Sequence, residues 1–302
     1  MLHRHPPPSH AAVAVVWLEF VTLPLSTGRP TPGVLGATAV PWWLKLCAPL
    51  GVLGLVAAAV GAFVDGAYRG MTADWARQTY AQDIADLFVG FPLLLVFALL
   101  AARGSVRALI AWLGVLIATF YTYVIYAFDV PFGHLYLANV ALLGLSGWAF
   151  GGALTGIDRR AIKERFDDNA PRRSTGCVLV AIAALFYLMW LAEDAPATIR
   201  GVAPPSLQQV GLMTNPVHVL DLAFLLPACI LSGLGLIRGK TWAYLFAPAL
   251  MLALATISVG IVTIMVVAIA DGESALVPVA GVMTLAGLAQ IVLAVRFLRH
   301  AR

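Results

Sequence analysis

Charged residues are scarce in this chain of 302 residues: they make up 11% of it, while hydrophobic residues make up 61%. Soluble globular proteins carry about 25% charged residues. A chain with so few charges cannot cover a water-facing surface, so composition excludes a soluble enzyme, a nucleic-acid-binding protein and a disordered chain. We therefore predict an integral membrane protein, and the lipid bilayer is its expected partner.

Cysteine and histidine are also rare. The three cysteines, Cys47, Cys177 and Cys229, are far apart and form no C-x-x-C pair, so we expect buried thiols rather than a disulfide framework or a zinc site. His134 and His218 alone lie near apolar runs, which disfavours a haem held between histidines. No P-loop, G-x-S-x-G or H-E-x-x-H motif is present. The sequence predicts no metal and no cofactor, and it favours a protein that is not an enzyme.

What the sequence has in abundance is long apolar runs. A hydrocarbon core of about 30 Å needs roughly 20 apolar residues as a helix, and helices satisfy their own backbone groups in lipid. Eight runs reach this length, which predicts an all-α, polytopic transmembrane bundle of about eight spans. The predicted spans are 46–66, 83–102, 106–127, 134–156, 176–195, 216–237, 241–270 and 277–298.

The predicted loops divide by charge. Every Lys and Arg except Arg69, Arg77 and Arg200 falls in the two tails or in the links after spans two, four and six. Because basic residues stay on the cytoplasmic side, both termini are predicted to be cytoplasmic, in the cell (inner) membrane. Residues 1–45 form an N-terminal cytoplasmic segment and linker, of which 1–40 fit a signal peptide, an interfacial helix or an over-extended start.

An internal repeat divides the rest of the chain. A shift of 135 residues aligns spans two and three with spans six and seven, and it superimposes Thr79 on Thr214, Asp86-Leu87 on Asp221-Leu222, Pro92 on Pro227 and Arg103-Gly104 on Arg238-Gly239. This pattern predicts two parallel four-helix halves, 46–156 and 176–302 with a basic tail, joined by a basic cytoplasmic loop at 157–175. Pro92 and Pro227 are expected to kink their helices.

The repeat also defines the candidate site. Asp83 and Asp86 are three residues apart and share a helix face, and the shift places His218 and Asp221 at the equivalent positions. If the halves pack around a pseudo-twofold axis, the two pairs converge and can bind a proton, an ammonium group or a divalent cation. The alternative is that these acids sit in the headgroup zone and complement the helix dipole.

Other polar and aromatic residues have simpler interpretations. Tyr121, Tyr123 and Tyr126 are typical of an aromatic belt at the membrane interface, with a cation–π cage as the alternative. Glu193 and Asp194 are expected to be solvated acids at the end of span five. Thr79 with Gln82 fits a capping box for span two, and Asn215-Pro216 fits a cap with a first-turn proline for span six.

Three functions remain open from the sequence. The first is transport or binding of a small solute, ion or lipid through a polar outer vestibule, which the repeat, the paired prolines and the acids favour. The second is a non-catalytic membrane subunit, sensor or assembly factor, which fits the short loops equally well. The third is an intramembrane redox or lipid-modifying enzyme, for which only the Asp83, Asp86, His218 and Asp221 group offers acid–base residues.

Overall fold

The computed structural model describes residues 40–302, and this part of the chain contains helices, turns and no strand. Eight of the helices are long and apolar enough to cross a membrane. They are α1 (Trp42–Phe63), α2 (Ala73–Ala102), α3 (Val106–Asp129), α4 (Tyr136–Gly156), α5 (Arg172–Arg200), α6 (Pro216–Ile237), α7 (Ala243–Ala270) and α8 (Ser274–Leu298). The prediction of an all-α bundle with eight candidate spans is confirmed, and the interpretations of residues 1–39 lie outside the described residues.

Two helices extend beyond their predicted ends. Helix α2 begins ten residues early because the Thr72 side chain accepts a hydrogen bond from the Trp75 amide and caps it there. Thr79 instead donates its hydroxyl to the Trp75 carbonyl inside the helix, so the predicted capping box is wrong. Helix α5 continues to Arg200 and ends at Gly201 with φ +66°, which places Glu193 and Asp194 within it.

The predicted start of α6 is confirmed. The Asn215 side chain accepts a hydrogen bond from the His218 amide, 3.2 Å away, and Pro216 occupies the first turn. Proline is favourable there because the first helical N–H groups have no partner within the helix. This cap fixes the orientation in which His218 enters the bundle.

Helices α3 and α7 pack against each other at the centre of the bundle. Their backbones approach so closely at Gly114 that a Cβ there would lie 2.6 Å from the Ala249 carbonyl oxygen. Around this pair, consecutive helices within each group of four pack side by side, and α2 also packs on α7. Helix α3 therefore faces both halves of the chain.

Helices α2 and α6 are each interrupted by one π turn, at Asp86–Gly90 and Asp221–Leu225. The Phe91 amide donates to the Asp86 carbonyl five residues back, and the Leu226 amide donates to Asp221 in the same way. Pro92 and Pro227 follow the two π turns closely. Because proline has no backbone N–H group to donate within the helix, each π turn lies where the regular α-helical hydrogen bonding is already interrupted. The two segments share this local structure at positions 135 residues apart, while a repeat of the whole four-helix unit remains a prediction.

The cysteines differ from expectation at one position. All three are free, Cys47 and Cys229 are buried, and Cys177 is exposed. Its neighbour Gly176 faces α6, since a Cβ there would lie 2.6 Å from the Gly233 carbonyl oxygen. Cys177 therefore points away from this helix contact, and the prediction of a buried thiol is wrong for it.

Candidate functional site

Two polar clusters lie towards one end of the bundle, where α1, α3, α5 and α7 end and α2, α4, α6 and α8 begin; we call it the acidic end. The Asp83 cluster contains Tyr68, Gln82, Asp83, Asp86 and Tyr126. The Asp221 cluster contains Tyr121, Trp190, Asp194, His218 and Asp221. Each cluster combines side chains from several helices around a carboxylate at or beside a π turn.

Asp83 is almost fully buried, with 1% of its surface exposed. Its carboxylate accepts hydrogen bonds from the hydroxyls of Tyr68, in the loop after α1, and of Tyr126, on α3 at 3.1 Å. Burial and the neighbouring Asp83 carboxylate raise the pKa of the Tyr68 hydroxyl above its ordinary value, so this hydroxyl remains a donor. Gly61 of α1 makes room for the pair, because a Cβ there would overlap both Asp83 and Tyr68.

Asp86 lies one turn further along α2, at the start of the π turn. Its Oδ1 atom accepts a hydrogen bond from the Gln82 amide, 3.0 Å away, while its Oδ2 atom is buried and has no hydrogen-bond partner in the described part of the chain. Gln82 in turn lies against Gly260 of α7. The second carboxylate of the Asp83 cluster therefore lies near the α2–α7 contact with one free acceptor.

Asp221 is held by two donors from other helices. The Tyr121 hydroxyl of α3 lies 3.1 Å from Oδ1, and the Trp190 indole N–H of α5 lies 2.8 Å from Oδ2. The Trp190 ring also packs on the His218 imidazole, with ring centroids 4.0 Å apart. His218 Nδ1 lies 2.9 Å from the Asp194 carboxylate of α5. A chain of contacts therefore extends from Asp194 to Tyr121, in which hydrogen bonds alternate with one ring contact, between His218 and Trp190.

An open groove of about 700 Å³ gives this network access to the acidic end. Asp194, Thr198, Asn215 and His218 contribute its polar lining, and the remaining wall is mainly apolar. Asp221 is not among the lining residues; Trp190 links it to the groove-lining His218, because the indole N–H donates to Asp221 and the ring packs on the imidazole. The groove is therefore lined by the Asp194–His218 pair, while the Asp221 carboxylate beside it is buried.

The structure groups the four predicted site residues as two pairs rather than one. Tyr126 contacts Asp83 and Tyr121 contacts Asp221, and residues five apart on a helix point about 140° away from each other. Within residues 40–302, no hydrogen bond, ion pair or charge interaction joins Asp83 or Asp86 to His218 or Asp221. Helix α3 therefore lies between the pairs, and the four side chains do not form a single centre.

The structure also assigns positions to residues that sequence reasoning interpreted otherwise. Tyr123 and Tyr126 are 1% and 5% exposed, so they face the interior of the bundle rather than an interfacial belt. Asp194 pairs with His218 instead of lying solvated at a helix end. The spacing of the tyrosines is visible in the sequence, but the roles of Tyr68 and Trp190 depend on helix neighbours that no local pattern reveals.

The buried carboxylates lack basic partners. Arg77, the basic residue nearest to Asp83 in sequence, pairs with Asp74 and Glu273 instead. Within the described residues, no Lys or Arg lies within ion-pair distance of Asp83, Asp86 or Asp221, and no group of three or more metal-ligating side chains assembles. A carboxylate buried in this way is costly as a bare anion, and a proton or cation relieves that cost.

No family model matches this chain, and no curated protein or solved structure is similar to it. The chemistry of the two clusters is therefore the basis for a functional assignment.

Proposed function

We propose that this multi-pass membrane protein binds a proton or small cation at its buried carboxylates and transfers it through the bundle. The observation that carries the proposal is the placement of Asp83 and Asp221 in two candidate spans, held by hydroxyl and indole donors without a basic residue. Ionisable residues within a membrane are expensive and tend to be functional. Each carboxylate can then exchange its neutralising ion as part of a transport step.

The interrupted helices support movement of an ion rather than a static role. Transporters commonly place ion sites where spanning helices are broken, because unwound backbone supplies oxygen ligands. Pro92 and Pro227 have no N–H group, so each leaves a main-chain carbonyl of its helix without the usual donor. Asp86 and Asp221 begin the π turns just before these prolines, so carboxylate and carbonyl oxygens lie in the same stretch of helix.

The Asp194–His218 pair provides an entry point for the ion. It lies on the wall of the open groove, and Trp190 connects it to Asp221 through a ring contact and a hydrogen bond. An imidazole has two ring nitrogens that can each donate or accept a hydrogen bond, so His218 suits the mouth of such a route. The charge distribution predicts that the end of the bundle opposite the acidic end, where most Lys and Arg residues lie, is cytoplasmic. The groove then opens on the outer side of the cell (inner) membrane.

Ion flux into proteoliposomes tests this function. The purified protein is reconstituted with an internal dye that reports the ion under test, and proton, sodium and potassium gradients are imposed in turn. We expect flux from the unmodified protein and background flux from Asp83→Asn and Asp221→Asn. Asp271→Asn is the matched control, because Asp271 is an exposed acid in the loop after α7. Absence of flux with every gradient, or equal flux from all variants, favours the non-catalytic subunit instead.

A further inference from the structure

A second feature lies at the opposite, basic end of the bundle, where three elements meet at Gly239. A short helix, Arg159–Glu164, lies on the start of α7, with Arg159 5.8 Å from the Phe246 ring centroid and Lys163 5.7 Å from that of Tyr244. Lys163 Nζ also donates to the Gly239 carbonyl, 3.2 Å away, in the turn between α6 and α7. These contacts fix the position of the Lys163 ammonium group.

Arg172 reaches the same glycine from the start of α5. A Cβ on Gly239 would lie 2.8 Å from Arg172 Nη1, so the guanidinium group rests against the turn that holds Lys163. In the described part of the chain, the Arg172 side chain makes no hydrogen bond or ion pair, although its backbone amide donates to the Ala170 carbonyl, and Lys163 has no carboxylate partner. Two of the four acids in this segment are engaged elsewhere, since Asp158 caps the short helix and Asp167 pairs with His300. The other two, Glu164 and Asp168, are exposed.

The start of α5 is itself suited to an anion. Its first turn contains Arg172 and Arg173, no acidic residue and no side-chain cap. A helix N-terminus has unpaired N–H groups and positive dipole charge, so cations there are unfavourable unless an anion is present. Thr175, three residues along the face that begins at Arg172, is fully buried and its hydroxyl has no partner. The Thr175 hydroxyl is therefore an additional hydrogen-bond donor within one helical turn of Arg172 and Arg173.

We propose that Lys163 and Arg172 bind the phosphate group of an anionic phospholipid at the basic end of the bundle. Lysine supplies a point charge and arginine a planar fork of donors, a combination that suits phosphate oxygens. The site lies where α6 ends and α5 and α7 begin, at one end of three candidate spans, where a lipid headgroup would lie. The proposal does not depend on the ion-binding function of the acidic end.

Lipid-dependent thermal stabilisation of delipidated protein in detergent tests the site. We expect phosphatidylglycerol to raise the unfolding temperature of the unmodified protein, while phosphatidylcholine and inorganic phosphate leave it unchanged. The double variant Lys163→Gln/Arg172→Gln should bind phosphatidylglycerol about a hundredfold more weakly, because each charge-assisted hydrogen bond to a phosphate oxygen contributes about a tenfold factor. The charge-retaining variant Lys163→Arg/Arg172→Lys should keep the preference for phosphatidylglycerol. If Lys163→Gln/Arg172→Gln fails to fold, loss of that preference in the charge-retaining variant would contradict the proposal.

Arg103→Gln/Arg160→Gln is the matched control, since it removes the same charge from two exposed residues at the same end of the bundle. Unchanged lipid affinity in this control, with loss in the Lys163/Arg172 variant, supports a built site. Equal losses in both double variants would show diffuse attraction and overturn the proposal. Stabilisation by inorganic phosphate equal to that by the lipid would overturn the assignment to a phospholipid.

Discussion

Tyr121 and Tyr126 stand five residues apart on α3 and bind different aspartates: Tyr121 contacts Asp221 of α6, and Tyr126 contacts Asp83 of α2. One helix therefore positions both buried carboxylates while keeping them on different sides. This arrangement makes α3 a shared wall between the two clusters, and it allows the contribution of each cluster to be tested separately.

Tyr126→Phe should destabilise the protein by about 1–2 kcal/mol, because the buried Asp83 carboxylate loses a donor. Thermal unfolding in detergent measures the change. Tyr136→Phe is the control, since the Tyr136 hydroxyl makes no hydrogen bond within residues 40–302. Equal stability of the two variants would show that the Tyr126–Asp83 contact contributes nothing.

Gly114→Ala should destabilise the bundle by about 1–3 kcal/mol, because the new methyl group meets the Ala249 backbone at the α3–α7 contact. Gly151→Ala adds the same group where nothing lies within 4 Å, so it should leave stability unchanged or raise it slightly. The unfolding temperature of both variants gives the comparison. A harmless Gly114→Ala substitution would argue against α3 and α7 as the central pair.

Trp190→Phe should lower ion flux, because phenylalanine retains an aromatic ring beside His218 but removes the N–H that binds Asp221. The same proteoliposome assay measures this effect. Trp148→Phe is the matched control, as Trp148 is 72% exposed on the surface of α4. Identical flux from both variants would show that the Trp190–Asp221 hydrogen bond does not contribute to ion transfer, and it would contradict the proposed route from the groove to Asp221.

Pro92→Ala and Pro227→Ala should both reduce flux, because each substitution restores an N–H group and favours a regular helix in place of the π turn. Pro278→Ala should have little effect, since Pro278 lies in the first turn of the α-helical part of α8 (Val277–Leu298), where proline is favourable. Effects of opposite sign at Pro92 and Pro227 would contradict equivalent roles for the two interrupted helices.

The sequence predicts those features of the fold that depend on local composition. Eight apolar runs suffice to identify the spans, and the Asp–Pro–Arg–Gly frame at Asp86 and Asp221 marks two segments that share a π turn. The start of α2 is missed because Ala73–Gln82 is too polar for hydropathy to detect. The helix extends through it because Thr72 provides a cap.

The candidate site is only partly predictable, because its contacts join residues distant in the chain. Asp83 and Asp221 stand out as acids in apolar segments, which is a local signal. Their donors, such as Tyr68 and Trp190, are recognised only once the neighbours of each helix are known. The expected convergence fails for the same reason, since the sequence does not place α3 between the two pairs.

Infrared difference spectroscopy tests the central claim most directly, because it observes whether buried carboxylates gain and lose a proton or cation. Spectra of the reconstituted protein are compared as pH, sodium or potassium is changed. Our account predicts carboxyl bands that respond to at least one of these ions and disappear in Asp83→Asn or Asp221→Asn, but persist in Asp271→Asn. Bands that respond identically in all three variants, or no response to any ion, would contradict it.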